Sequence, residues 1–156
     1  MARALWVEDQ AETKLMNYAY PAFLAGYQLD VVDNVSDAVS KVEQDTYDAV
    51  VIDLIITAGR DKAWTELDRR NPYNDKNSYL GLQLVRALFA KNFGGPRLSE
   101  ATRWLSPRKV GIFTVVEDGE VHREIKQYGV GNVVLKRTSD YTALKKLLDI
   151  LTSAKA

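Results

Sequence analysis

Five short apolar runs, separated from one another by stretches of helical period, constrain this chain more than any other feature. The runs are residues 4–7, 29–32, 49–52, 110–113 and 133–135. Each is too short for a helix, and each is nearly continuous in Val, Ile, Leu and Ala rather than alternating. That is the pattern of strands covered on both faces of a parallel sheet. Between them, Leu15, Tyr18, Ala19, Ala22 and Phe23 recur at i, i+3, i+4, i+7 and i+8, with Pro21 expected to kink or shorten the helix and Gly26 to end it. Val35, Ala38, Val39 and Val42 predict a second helix, capped by Asn34 or Ser36. Leu80, Leu84, Val85, Leu88 and Phe89 predict a third, residues 121–128 a fourth closed by Gly129, and Tyr141, Leu144, Leu147, Leu148 and Leu151 a fifth, capped by Thr138 or Ser139. Strands alternating with amphipathic helices predict right-handed crossovers and a doubly wound α/β sheet. Ligands of such sheets sit beyond the carboxyl ends of the strands.

Composition narrows the chemistry. The 156 residues predict a single domain, residues 1–156. There is no cysteine, which excludes disulfides, thiol nucleophiles, zinc knuckles and iron–sulfur clusters. The one histidine, His122, excludes multi-histidine metal sites and is expected on an exposed helix face. With 21 basic and 21 acidic residues, nucleic acid is not the expected partner. The longest apolar stretch, residues 49–56, is interrupted by Asp53 and falls far short of the ~20 residues that span a bilayer. No signal peptide is visible at the start. The expectation is a cytoplasmic protein with no membrane partner.

The strand ends carry the chemistry. The first run is followed by Glu8 and Asp9, the third by Asp53, the fourth by Thr114 and the fifth by Lys136. In a parallel sheet these groups converge on one edge. Two carboxylates ~4 Å apart repel by about 4 kcal/mol at an effective dielectric of 20, so the cluster calls for counter-charge. Lys136 supplies one positive charge, and a hard divalent cation such as Mg²⁺ would supply more. The cluster therefore reads as a Mg²⁺-dependent phosphate site, with Asp53 on the central strand as candidate nucleophile for an aspartyl phosphate. Taken singly, an acidic pair is a cap or solvated turn, Asp53 a turn residue, Thr114 a β-former and Lys136 a solvated lysine. Their conjunction at successive strand ends carries the functional reading.

These residues resemble the receiver domain of two-component response regulators. The likeness lies in Ala4-Leu5-Trp6-Val7-Glu8-Asp9, Tyr47-Asp48-Ala49-Val50-Val51-Ile52-Asp53-Leu54, Phe113-Thr114 and Leu135-Lys136. Gly81-Leu82-Gln83-Leu84 and Gly129-Val130-Gly131 also resemble the family's third helix and its turn before strand five. The resemblance implies a flavodoxin-like (βα)5 fold with strand order 2-1-3-4-5. It implies that Asp53 accepts a phosphoryl group from a histidine kinase or phosphotransfer protein. Asp9, Asp53 and the backbone carbonyl of Ile55 would hold Mg²⁺, with Glu8 in support. Thr114 would be the switch hydroxyl, and Lys136 would meet a phosphate oxygen. Such a protein is not a turnover enzyme; it signals to a downstream protein, with a candidate homodimer face on the fourth helix, fifth strand and fifth helix. Apolar Ile55 and Val116 imply a slowly hydrolysed phosphoryl group. Because the chain ends soon after the fifth helix, no DNA-binding output domain is expected.

The sequence also departs from that family. Arg137 follows the lysine where proline is usual, Val133 stands where a switch aromatic is usual, and Val115 replaces a small residue. A pseudo-receiver that switches without phosphate is therefore the alternative reading. A haloacid-dehalogenase-like phosphatase is a third, but it would want an acid at position 55. Two stretches exceed the family's needs. One is residues 57–80, with Trp64, Tyr73, Tyr79 and a short helix expected over 61–70; it reads as a partner-docking element, a lid or a plain surface loop. The other is residues 91–109, with five basic residues against one acidic and a short helix expected over 99–105.

Overall fold

The computed structural model describes residues 2–11, 13, 15–71 and 75–153. Five strands, β1 (Arg3–Val7), β2 (Gln28–Val32), β3 (Ala49–Ile52), β4 (Val110–Thr114) and β5 (Asn132–Leu135), form one parallel sheet in the order β2-β1-β3-β4-β5. With a helix between successive strands, this is the flavodoxin-like α/β fold. Every residue of β3 and β4 is buried, as continuous apolar runs require. In register, Val7 lies opposite Val32 and Ile52, and Thr114 opposite Leu135. The chain therefore leaves β1, β3, β4 and β5 along one edge, where Glu8, Asp53 and Lys136 follow.

Alternation along the strands sorts the core into two layers. Trp6, Val51 and Phe113 face α1 (Met16–Leu24) and α6 (Ala143–Ser153). Leu5, Val50, Ile52 and Ile112 face α2 (Val35–Gln44), α4 (Leu80–Phe89) and α5 (Gly119–Gln127). Helix α1 runs through Pro21 to Leu24, because Tyr18, Ala19 and Ala22 are buried beside the one amide the proline removes. Asn34, not Ser36, caps α2 by accepting from the Asp37 amide at 2.8 Å. The last helix starts later than expected. Residues Lys136–Thr138 form a 3₁₀ turn, Ser139 turns back to donate to the Leu135 carbonyl, and Asp140 accepts from the Thr142 amide at 2.9 Å. Residues 99–105 form only a 3₁₀ turn, Glu100–Thr102.

The 57–80 stretch is built into the fold. It contains α3 (Lys62–Arg70), capped by Asp61, with Trp64 and Leu67 in the same core as α2 and α4. Trp64 is 1% exposed, so its ring is not presented to a partner or over the strand ends. The expected docking role for Tyr73 falls outside the described residues. The entry to α3 is pinned to the start of α2: the Val35 and Ser36 amides donate to Thr57 and Ala58 carbonyls, and the Ser36 hydroxyl accepts from the Asp61 amide at 3.0 Å. Gly59 makes this possible. Its φ is +84°, and a Cβ there would lie 2.2 Å from Asn34 Oδ1. The second stretch is tied to the same layer by Trp104, whose indole donates to the Val42 carbonyl at 2.8 Å. Among the described residues, no helix is long and apolar enough to cross a membrane.

Candidate functional site

Sheet hydrogen bonding continues one residue past β1 and β3. The Glu8 amide donates to the Val32 carbonyl at 2.8 Å and the Asp53 amide to the Val7 carbonyl at 3.0 Å. This fixes the two carboxylates side by side at the sheet edge. Lys136, entering from β5, donates through Nζ to Glu8 Oε1 and, at 2.9 Å, to Asp53 Oδ2. Glu8 and Asp53 are buried, whereas Asp9 is exposed. Carboxylate oxygens of Glu8, Asp9 and Asp53 lie within 4.8 Å of one another. Hard oxygens converging at that spacing, with one face open through Asp9, suit a hard divalent cation.

The structure thus gathers Glu8, Asp9, Asp53 and Lys136 as the sequence reading expects. Thr114 ends β4 fully buried, and its hydroxyl accepts from the Val116 amide at 3.3 Å. Ile55 is half-exposed, and its amide donates to Asp53 Oδ1 at 3.3 Å. Gly81 lets α4 settle against the end of β3: its amide donates to the Leu54 carbonyl at 3.0 Å, and a Cβ there would meet the Asp53 carbonyl oxygen at 2.1 Å. Sequence reasoning missed one contact in this region. His122 is not on an open face; it is half-buried, and its Nε2 lies 2.6 Å from the Val116 carbonyl oxygen. With the Nε2–H tautomer it donates to the loop whose amide already engages Thr114. The sequence signal for it is only a six-residue separation from Val116, across the turn into α5, which by itself is commonplace.

The electrostatics follow from burial. Desolvation, then the Asp53 charge, pushes the Glu8 carboxyl up to about 8, against the pull of Lys136. Burial disfavours the Lys136 ammonium, but Asp53 and Glu8 outweigh it and hold the amine above its ordinary range. Because the folded state keeps a proton on Glu8 that the unfolded chain has released, folding is weakened as pH rises from about 5 to about 8. Thermal melts in metal-free buffer are expected to fall across that window, and Glu8→Gln is expected to flatten the fall. An unchanged slope in the variant would assign the pH dependence elsewhere.

No protein-family model and no curated protein matches the sequence. Solved structures do match the fold. The non-phosphorylated HemR receiver domain from Leptospira biflexa superposes with a TM-score of 0.64 at 15% identity, covering 100% of this chain and 98% of that one. A response regulator receiver domain protein from Methanospirillum hungatei gives 0.62 at 14% identity, covering 97% and 94%. A response regulator protein from Burkholderia pseudomallei, solved with a phosphorylated aspartic acid, a calcium ion and citrate, gives 0.62 at 14% identity, covering 98% and 68%. The chain therefore has the fold of a response-regulator receiver domain over nearly its whole length, with an acidic cluster at the edge where that fold places its site.

Proposed function

We propose that the protein is a phosphoacceptor of two-component signalling. The observation that carries this reading is the Lys136 ammonium held between Glu8 and Asp53, with Asp9 completing the oxygen cluster. An Asp53 carboxylate oxygen attacks the phosphorus of a kinase or phosphotransfer phosphohistidine. A P–O bond forms, the P–N bond breaks, and the imidazole leaves as the neutral base after taking a proton. Lys136 transfers its contact from the carboxylate to a phosphoryl oxygen, so charge is compensated throughout. Glu8, Asp9, Asp53 and the Ile55 carbonyl would hold Mg²⁺, whose contribution is to neutralise the phosphoryl oxygens. The Thr114 hydroxyl is the switch group, exchanging the Val116 amide for the phosphoryl group. The output is a protein–protein contact in the cytoplasm. The phosphorylated aspartic acid of the Burkholderia pseudomallei protein is the chemical precedent on this fold.

A second reading, a binding module that switches without phosphate, is favoured by β5. Val133 is partly covered, and Arg137 is exposed and pairs with Glu117 at 3.6 Å, so neither offers the family's switch aromatic or proline. Acetyl phosphate with Mg²⁺ separates the two. On the first reading wild type acquires one acid-stable, base-labile phosphoryl group that persists for minutes, and Asp53→Asn acquires none. Absence of label in both, with beryllofluoride also silent, would favour the second.

A further inference from the structure

The two stretches that the receiver fold does not require meet on one side of the molecule. Helix α3 and the Gly94-Gly95-Pro96 turn form the walls of an open groove of about 490 Å³, lined by Lys62, Ala63, Glu66 and Arg70 on one side. A second depression of about 260 Å³ lies across the same turn and adds Lys91, Arg97 and Phe93. The four cations Lys62, Arg70, Lys91 and Arg97 are exposed, and none of their charged groups is paired with another described residue. The acids nearby are engaged elsewhere: Glu66 faces Arg69 at 3.6 Å, and Glu100 faces Arg103 at 3.3 Å. The asymmetry is regional. Residues 57–80 and 91–109 carry ten basic and five acidic residues, whereas the rest of the neutral chain carries eleven and sixteen.

We propose that this groove is the docking site for an acidic segment of a partner protein. The cations are not on floppy loops alone. Trp64 and Leu67 anchor α3 in the core, so Lys62 and Arg70 are presented on a fixed helix face and less order must be imposed on binding. Ala63, Pro96 and the Phe93 ring lie among the charges, which matches a segment with apolar side chains between its carboxylates. A phosphodiester backbone fits less well. It would run beyond four cations onto a surface of net negative charge. None of the groove residues belongs to the Glu8–Asp53–Lys136 cluster, so this site stands independently of the phosphoacceptor reading.

The probe is a fluorescein-labelled peptide of alternating acidic residues and leucines, titrated by anisotropy at physiological salt against the full chain. Saturable binding is expected. The double variant Lys62→Glu, Arg70→Glu is expected to weaken it by about tenfold or more. Lys146→Glu, on α6 across the sheet, is expected to leave it unchanged. Both substitutions are at exposed positions, and circular dichroism checks that each variant is folded. Absence of saturable binding, equal loss in the Lys146→Glu variant, an unaffected double variant, or tighter binding of single-stranded DNA of equal charge would each overturn the proposal.

Discussion

Replacing Lys136 with methionine is expected to destabilise the metal-free protein by about 3–5 kcal/mol near neutral pH, the cost of removing one partner from a buried ion pair. Methionine keeps most of the aliphatic volume, so the loss reports charge rather than a cavity. Lys136 has its side chain 9% exposed and serves two carboxylates that are 1% and 5% exposed. Without the ammonium, the buried Asp53 carboxylate is left beside Glu8 with neither solvent nor counter-charge. The loss is expected to hold steady from about pH 5 to about 8, where Glu8 keeps its proton, and to grow above about pH 8, where Glu8 would have to ionise beside Asp53 with no ammonium between them. It is expected to shrink in millimolar Mg²⁺, because a cation among the Glu8, Asp9 and Asp53 oxygens takes over the role of the ammonium. Urea melts of wild type and variant, each with and without Mg²⁺, check this. Equal destabilisation in both buffers would mean that the three carboxylates do not act together as a cation site.

The strand ends were readable because a parallel sheet leaves no choice about where they go. Once residues 49–52 are a buried strand, Asp53 must emerge at the edge where Glu8 emerges, and the register of Val7 with Ile52 places them adjacent. What one sequence could not show is how the two acids after β1 divide. Glu8 is buried under Lys136 and Asp9 is exposed, a division set by where Lys136 arrives from 128 positions away. The loop around Val116 was equally hidden, since the His122 contact depends on the turn between β4 and α5 rather than on any periodicity. Helix boundaries shifted where side-chain caps compete: Asp140 outcompetes Ser139 because Ser139 already serves the Leu135 carbonyl. The 57–80 stretch shows a more general limit. Trp64 and Leu67, three apart on a short polar helix, present the same pattern whether they face a partner or the protein's own core.

That ambiguity has a large energetic consequence, and Trp64→Ala is expected to cost about 3–5 kcal/mol. An exposed docking aromatic, or a tryptophan on a lid, would cost within about 0.5 kcal/mol when truncated. The structure places Trp64 at 1% exposure in the core shared by α2 and α4, so its removal leaves a cavity that neither helix can fill without breaking its packing on β1 and β3. The entry to α3 cannot shift to compensate. The Ala58 carbonyl and Asp61 amide are held by Ser36, and Gly59 sits against Asn34 with no room for adjustment. Denaturant melts should show a lower midpoint with an unchanged slope, the sign of lost stability in one cooperative unit rather than local detachment. The same variant should weaken binding of the acidic peptide, because Lys62 and Arg70 depend on that anchor for their position. Loss of peptide binding with full stability would instead mean that α3 behaves as a separately hinged element.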